Sequence, residues 1–193
     1  MTENIIEIKR KVKRELDNDR YQHTLGVAYT ASCLAMRYGA DMDDAFTAGL
    51  LHDCAKCIPT PEKLKLCEKY GIALTDTEIN NPALIHAKLG AFLAEHKYGI
   101  TDKDIINAIR THTTGEPAMS LLQKIIFTAD YIEPRRDHAR NLPEIRQLAF
   151  TDIDGAVRQI LHDTLNYLNT KTAAVDPHTS QTYEYYLKIT DSK

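Results

Sequence analysis

Helix start and stop signals recur along the whole chain, and no stretch alternates polar and apolar residues as a half-buried strand must. Thr2 can cap a first helix whose Ile5, Ile8, Val12 and Leu16 share one face, and Asp17, Asn18 and Asp19 break it. A second helix runs from Arg20 to Tyr38 and stops at Gly39. Asp41 with Asp44 opens a third, with the apolar body AFTAGLL, and Thr60-Pro61 and Gly71 bracket a fourth. Thr75 and Glu78 form a capping box, and Asn81-Pro82 begins a helix that lasts to Gly99. Thr101 with Asp104 starts the next, and Ser120 with Gln123 the one after. Beyond Pro143 lie two more stretches, the longer from Asp152 to Asn169; the connector TKTAAVDPHTS then leads to a last turn around TYEYYLK. These signals predict one all-α domain over residues 1–193, a bundle of roughly eight to ten helices with short connections.

Composition narrows the function classes. Hydrophobic residues at 43% and charged residues at 26% are the balance of a globular chain. A domain of this length buries about 70% of its unfolded surface, so it needs neither disulfides nor a metal merely to fold. With 24 basic against 27 acidic residues the formal charge is -3, which argues against a nucleic-acid coat or an anionic-membrane binder. The opening MTENIIEIKRKVKREL has no continuous apolar run, and no signal peptide or membrane span can be drawn there or elsewhere. A cytoplasmic, reducing location is the expectation, with Cys33, Cys54, Cys57 and Cys67 as free thiols. Cys54 and Cys57 form a C-x-x-C, but no second pair and no preceding strand support a zinc or redox role.

The chemistry concentrates in Leu50-Leu51-His52-Asp53-Cys54-Ala55-Lys56, a histidine and an aspartate at the end of an apolar helix with a cation one turn on, read as lying over the same helical face. Single polar residues recur in apolar settings elsewhere: His23 in Arg20-Tyr21-Gln22-His23, His86 in Pro82-Ala83-Leu84-Ile85-His86, His112 after IINAIRT, and Asp130 in IIFTADYIEP. One histidine on an apolar face is usually a satisfied core residue. Six such groups on different helices are costly at several kcal/mol apiece, and a metal cluster satisfies all of them at once. A second pair, His162-Asp163, comes after the others and reads as structural or exposed, as does His96; His138 lies in the charged segment RRDHAR.

In order, His23, His52-Asp53, His86, His112 and Asp130 resemble the HD-domain metal-dependent phosphohydrolases. More closely, R-Y-x-H, L-L-H-D-x-A-K, T-H-T-T-G and A-D-Y-I-E-P-x-R, spread between Arg20 and Arg136, are similar to the bacterial HD-type symmetrical diadenosine tetraphosphatases. The resemblance implies a single HD-domain helical bundle in which His23, His52, Asp53 and Asp130 hold one ion. His86 and His112, with Asp53 bridging, hold a second or face the phosphates. It implies Asp53 and Lys56 as catalytic groups. The nucleotide contacts it implies are Arg20, His23, Ala83, Leu84, Ile85, His86, His112, Arg136 and the tail Ala173, Ala174, Val175, Asp176, Pro177 and His178. The tail departs from the family's usual Ile-His-Pro-x-Thr at Asp176.

Imidazole and carboxylate without thiolate suits iron, manganese, nickel, cobalt or zinc, and the resemblance favours iron, as one or two ions. The implied reaction is hydrolysis of diadenosine tetraphosphate to two ADP, with Lys56, Arg135 or Arg136 offsetting charge on the phosphoryl oxygens. The alternatives are another HD-type phosphohydrolase, acting on nucleoside triphosphates or guanosine alarmones, and a nucleotide sensor that does not turn over. The expected partner is a small nucleotide, with neither nucleic acid nor membrane; a homo-oligomer and the base preference stay open.

Overall fold

The computed structural model describes residues 3–137, 139, 141–171 and 176–191. Among them are eleven α-helices and no strand. The polar break after α1 (Glu3–Glu15) is short, because Asp17 is itself the cap of α2 (Asn18–Tyr38), its side chain accepting from the Arg20 N–H. Gly39, with φ of 76°, ends α2 in the left-handed region that glycine enters without strain. Asp41 caps α3 (Met42–Leu51), accepting from the N–H groups of Asp43 and Asp44. After α4 (Thr60–Tyr70), the Thr75–Glu78 capping box starts the five-residue α5 (Asp76–Asn80). The segment opened by Asn81-Pro82 divides into a 3-10 turn, Pro82–Leu84, and α6 (Ile85–His96). The cap of α7 (Lys103–Thr111) is Asp102 rather than Thr101, and Ser120 with Gln123 makes the capping box of α8 (Leu121–Ile132). Helices α9 (Leu142–Ala149) and α10 (Ile153–Thr170) follow.

The last element departs from the expected turn: α11 is a full helix, Pro177–Asp191. Asp176, the position where the tail departs from the family pattern, holds its start, with Oδ1 accepting from the His178 N–H at 2.8 Å ahead of proline at the first helical position. The expected cap at Thr2, together with His138, Ala173, Ala174 and Val175, lies outside the described residues.

Helices α2, α3, α7 and α8 meet in the main core, built from residues such as Val27, Leu34, Leu50, Ile109, Ile125 and Ile126. Ala28, Ala31, Ala45 and Ala48 line it with small side chains, so the helix backbones approach closely. At Gly49 the approach is closest: a Cβ there would stand 2.6 Å from the Cα of Ala28. A smaller cluster of Ala55, Cys67, Ile85 and Leu89 packs behind the segment 52–57. No helix among the described residues is long and apolar enough to cross a membrane.

Candidate metal centre

Five helices, α2, α3, α6, α7 and α8, and the turn after α3 bring six polar side chains to one place. His23 comes from the second turn of α2, His52 from the C-terminal cap of α3 and Asp53 from the turn just after it. His86 sits in the first turn of α6, His112 at the C-terminal cap of α7 and Asp130 in α8. All four histidines and Asp53 are buried. Three of the rings are held in one way, with Nδ1 bonded to the carbonyl three residues earlier. The distances are 2.7 Å for His52 to Gly49, 2.6 Å for His86 to Ala83 and 2.7 Å for His112 to Ile109. A carbonyl can only accept, so each Nδ1 carries the proton and donates it, leaving Nε2 as a lone pair. His23 is held differently: its Nδ1 lies 2.9 Å from Oε1 of Glu133, a buried carboxylate.

The Nε2 atoms converge. His23 Nε2 is 3.1 Å from Asp130 Oδ1, and His52 Nε2 is 3.8 Å from the same oxygen and 3.5 Å from Asp53 Oδ2. The other oxygen of Asp53, Oδ1, faces His86 at 3.2 Å and His112 at 3.7 Å, whose own Nε2 atoms stand 3.1 Å apart. Two ligand groups result, His23-His52-Asp130 and His52-Asp53-His112, with His52 common to both. Two lone pairs at 3.1 Å repel, and Nε2 of His23 and of His52 is buried without a hydrogen-bond partner. A cation among these nitrogens and carboxylates removes both costs, so the residues present fit a metal of the kind that imidazole and carboxylate hold.

The charges agree. Burial pushes His52 and His86 down to about 4, keeping both imidazoles neutral as ligands must be. Burial raises the carboxyl of Asp53, but the neighbouring His52, His112 and His86 outweigh it and hold it well below the usual carboxylate range. For Asp130 burial is again opposed, by His23, His52 and Arg136, and the result is also downward. Three cations close on the set. Arg20 Nη1 is 2.8 Å from Asp53 Oδ2, Arg136 Nη2 is 2.7 Å from Asp130 Oδ1, and Lys56 Nζ is 4.0 Å from Asp53 Oδ1 and 3.2 Å from His86 Nε2. Lys56 does not reach Asp53 along a helical face, as its spacing suggested. Helix α3 ends at Leu51, and the turns of 52–57, with the Lys56 N–H bonded to the Asp53 carbonyl, carry it there.

Ala83 and Leu84 lie in the 3-10 turn, whose Ala83 carbonyl fixes His86, and Ile85 begins α6. Asp176 and His178 stand beside Thr113 and Thr114 of the loop after His112, around a small cavity. Away from the centre, His162 is exposed and 3.6 Å from Asp163, and exposed His96 stacks on Phe92. Cys54 and Cys57 are free; burial pushes the Cys54 thiol up to about 12, and exposed Cys57 donates to Asp17. Glu133 is the residue that sequence reasoning missed. The signal was present: an acid in the apolar run IIFTADYIEP, costly for the same reason as Asp130 three residues before it.

The HD domain family matches residues 20–135. "Bis(5'-nucleosyl)-tetraphosphatase, symmetrical" of Bacillus subtilis is 43% identical over 176 residues, covering 90% of this chain and 92% of the relative. The protein of the same name from Staphylococcus aureus is 34% identical, covering 95% of this chain and 94% of the relative. Among solved structures, a predicted HD superfamily hydrolase involved in NAD metabolism from Clostridium acetobutylicum superposes with a TM-score of 0.91. It is 38% identical and covers 95% of this chain and 96% of that one.

Proposed function

Because the chain belongs to the HD domain family and stands among relatives named symmetrical bis(5'-nucleosyl)-tetraphosphatases, we propose that it hydrolyses diadenosine tetraphosphate to two ADP in a metal-dependent reaction. The observation that carries the reading is the convergence of four oriented imidazoles on two carboxylates, with three cations at hand for phosphates. In this reading His23, His52, Asp53 and Asp130 hold one divalent ion, and His86 and His112, with Asp53 between, hold a second or face the phosphates. The ion is proposed to be iron; manganese, nickel, cobalt and zinc fit the same donors. When bound, it supplies Lewis acidity and a water that is acidic enough to act near neutral pH.

The chain's own residues do the rest. Glu133 and the Gly49, Ala83 and Ile109 carbonyls keep the rings aimed inward. Arg20 and Arg136, already on the ligand carboxylates, are within reach of phosphoryl oxygens, and Lys56 offsets charge on the other side. The water oxygen bonds to the second phosphorus from the bound nucleoside. The bond from that phosphorus to the bridging oxygen breaks, the oxygen leaves with the other half, and the water protons pass to solvent.

The test is chromatography of early products from diadenosine tetraphosphate, with and without added divalent metal and after chelation. ADP alone, formed only with metal, is expected. AMP and ATP in equal amounts, or turnover indifferent to chelator with no metal by elemental analysis, would overturn the proposal.

A further inference from the structure

Symmetric cleavage requires room for a nucleoside diphosphate on each side of the broken bond, and two cavities flank the ligand set without sharing a residue. The smaller, about 60 Å³, lies on the His86 and His112 side, where Thr113, Thr114 and His178 line it. The larger, about 380 Å³, opens between the α1–α2 turn and the loop 133–136, with His23 in its wall. That volume lies within the usual range of small-molecule sites, about 300–1,000 Å³.

The charge in this larger cleft is graded. Arg20 and Arg136 are partly buried and paired with Asp53 and Asp130. Arg135 and Asp19 stand at its mouth, exposed, with Nη2 and Oδ1 3.5 Å apart; Asp17 completes the rim. The loop under Arg135 is tied down. The Arg135 N–H donates to Glu133 Oε2 at 2.8 Å, and Arg146 Nη2 donates to the carbonyls of Glu133 and Arg136 at 3.0 and 2.9 Å. A nucleoside diphosphate has the same polarity: anionic oxygens at one end, then hydroxyls that carboxylates accept from, then an aromatic base on which a guanidinium stacks.

We propose that this cleft is the subsite for the departing nucleoside diphosphate, with Arg135 and Asp19 as its contacts to base and ribose. The assignment rests on the tetraphosphatase reading and adds where the second half lies. Such a subsite makes the enzyme prefer a substrate with a nucleoside at both ends over adenosine 5'-tetraphosphate, which carries the four phosphates and only one nucleoside.

The test uses the manganese-loaded protein and compares kcat/KM for these two substrates in the parent, Arg135→Ala and Asp19→Asn. Both positions are exposed, so folding is not at stake. Arg135→Ala is expected to lower the preference for diadenosine tetraphosphate about five- to tenfold, mainly through KM, and Asp19→Asn two- to threefold, roughly the worth of one stacked guanidinium and one exposed hydrogen bond. Equilibrium dialysis of ADP is expected to find two molecules per parent chain and a weakened second site in Arg135→Ala. A preference unchanged within twofold in both variants overturns the subsite while leaving the hydrolase intact. A parent that forms no ADP from diadenosine tetraphosphate overturns both.

Discussion

Replacing Gly26 by alanine sets two effects against each other. Gly26 lies in the interior of α2, where alanine is the better helix former by about 1 kcal/mol. One turn earlier on the same helix is His23, and over Gly26 lies the carboxylate that orients it. An added Cβ would collide with Glu133 Oε2 and stand 3.1 Å from its Cδ. The carboxylate is not free to yield. It is buried, Oε1 takes the His23 Nδ1–H at 2.9 Å, and Oε2 takes the Arg135 N–H at 2.8 Å. Making room means a shift of about 1 Å and the loss of at least one charge-assisted hydrogen bond, about 1.5–3 kcal/mol. Gly26→Ala is therefore expected to lower stability by about 1 kcal/mol net, and metal affinity by about 10- to 100-fold, the usual cost of losing the partner that orients a ligand. Competition with a chromophoric chelator reads the affinity, and thermal unfolding of the metal-free protein reads the stability. In a Glu133→Ala background the same change is expected to become stabilising, since only the helix preference remains. If Gly26→Ala alone gains about 1 kcal/mol and binds metal like the parent, the carboxylate does not hold His23 as argued.

Three further outcomes follow from the same geometry. His52→Ala or Asp53→Ala is expected to remove turnover by at least about a hundredfold, and exposed His162→Ala to stay within about threefold; similar losses at both pairs would mean the wrong pair was chosen. His52 and His86 take up protons only near 4 in the folded chain, against 6.5 ordinarily, so between those values the unfolded chain binds up to two more protons. Metal-free protein should accordingly lose stability as pH falls from 6.5 toward 4, which urea melts at pH 7 and pH 5 measure; equal midpoints would contradict it. Gly49→Ala places Cβ against the Ala28 backbone and should cost about 1–3 kcal/mol, seen as a fall of several degrees in the unfolding midpoint, whereas an unchanged midpoint would mean α2 and α3 separate freely.

What could be read in the sequence was whatever is decided locally. The boxes at Thr75–Glu78 and Ser120–Gln123 and the stop at Gly39 depend on a few neighbouring residues, and the structure has them where the pattern puts them. At Thr101-Asp102 two good caps are adjacent, and it is Asp102 that accepts from the N–H groups of Asp104 and Ile105. Helix α11 was faint because its buried face includes Thr179 and Thr182 beside Tyr186, so its apolar periodicity is weak. The six polar groups of the centre stood out because each is costly in an apolar helix. Glu133 and the route of Lys56 did not, because one depends on a contact across the fold and the other on where α3 ends.

The position of α11 also bears on the order in which the protein is made. Thr182 packs on Gly115, where a Cβ would meet its Cγ2 at 2.9 Å, and Gly115 closes the loop that begins at His112. Asp176 and His178 line the small cavity beside that loop. During translation all six polar groups of the centre emerge before this wall does, since Asp130 precedes Asp176 by 46 residues. The hypothesis is that the nascent chain gains its ion before it gains a complete place for nucleotide, so that synthesis itself separates the two loading steps. Ribosome-stalled chains that end before Asp176 and are carried clear of the exit tunnel by a flexible linker should then retain metal while binding ADP poorly. Stalled chains that take up neither would show instead that α11 is needed to assemble the centre.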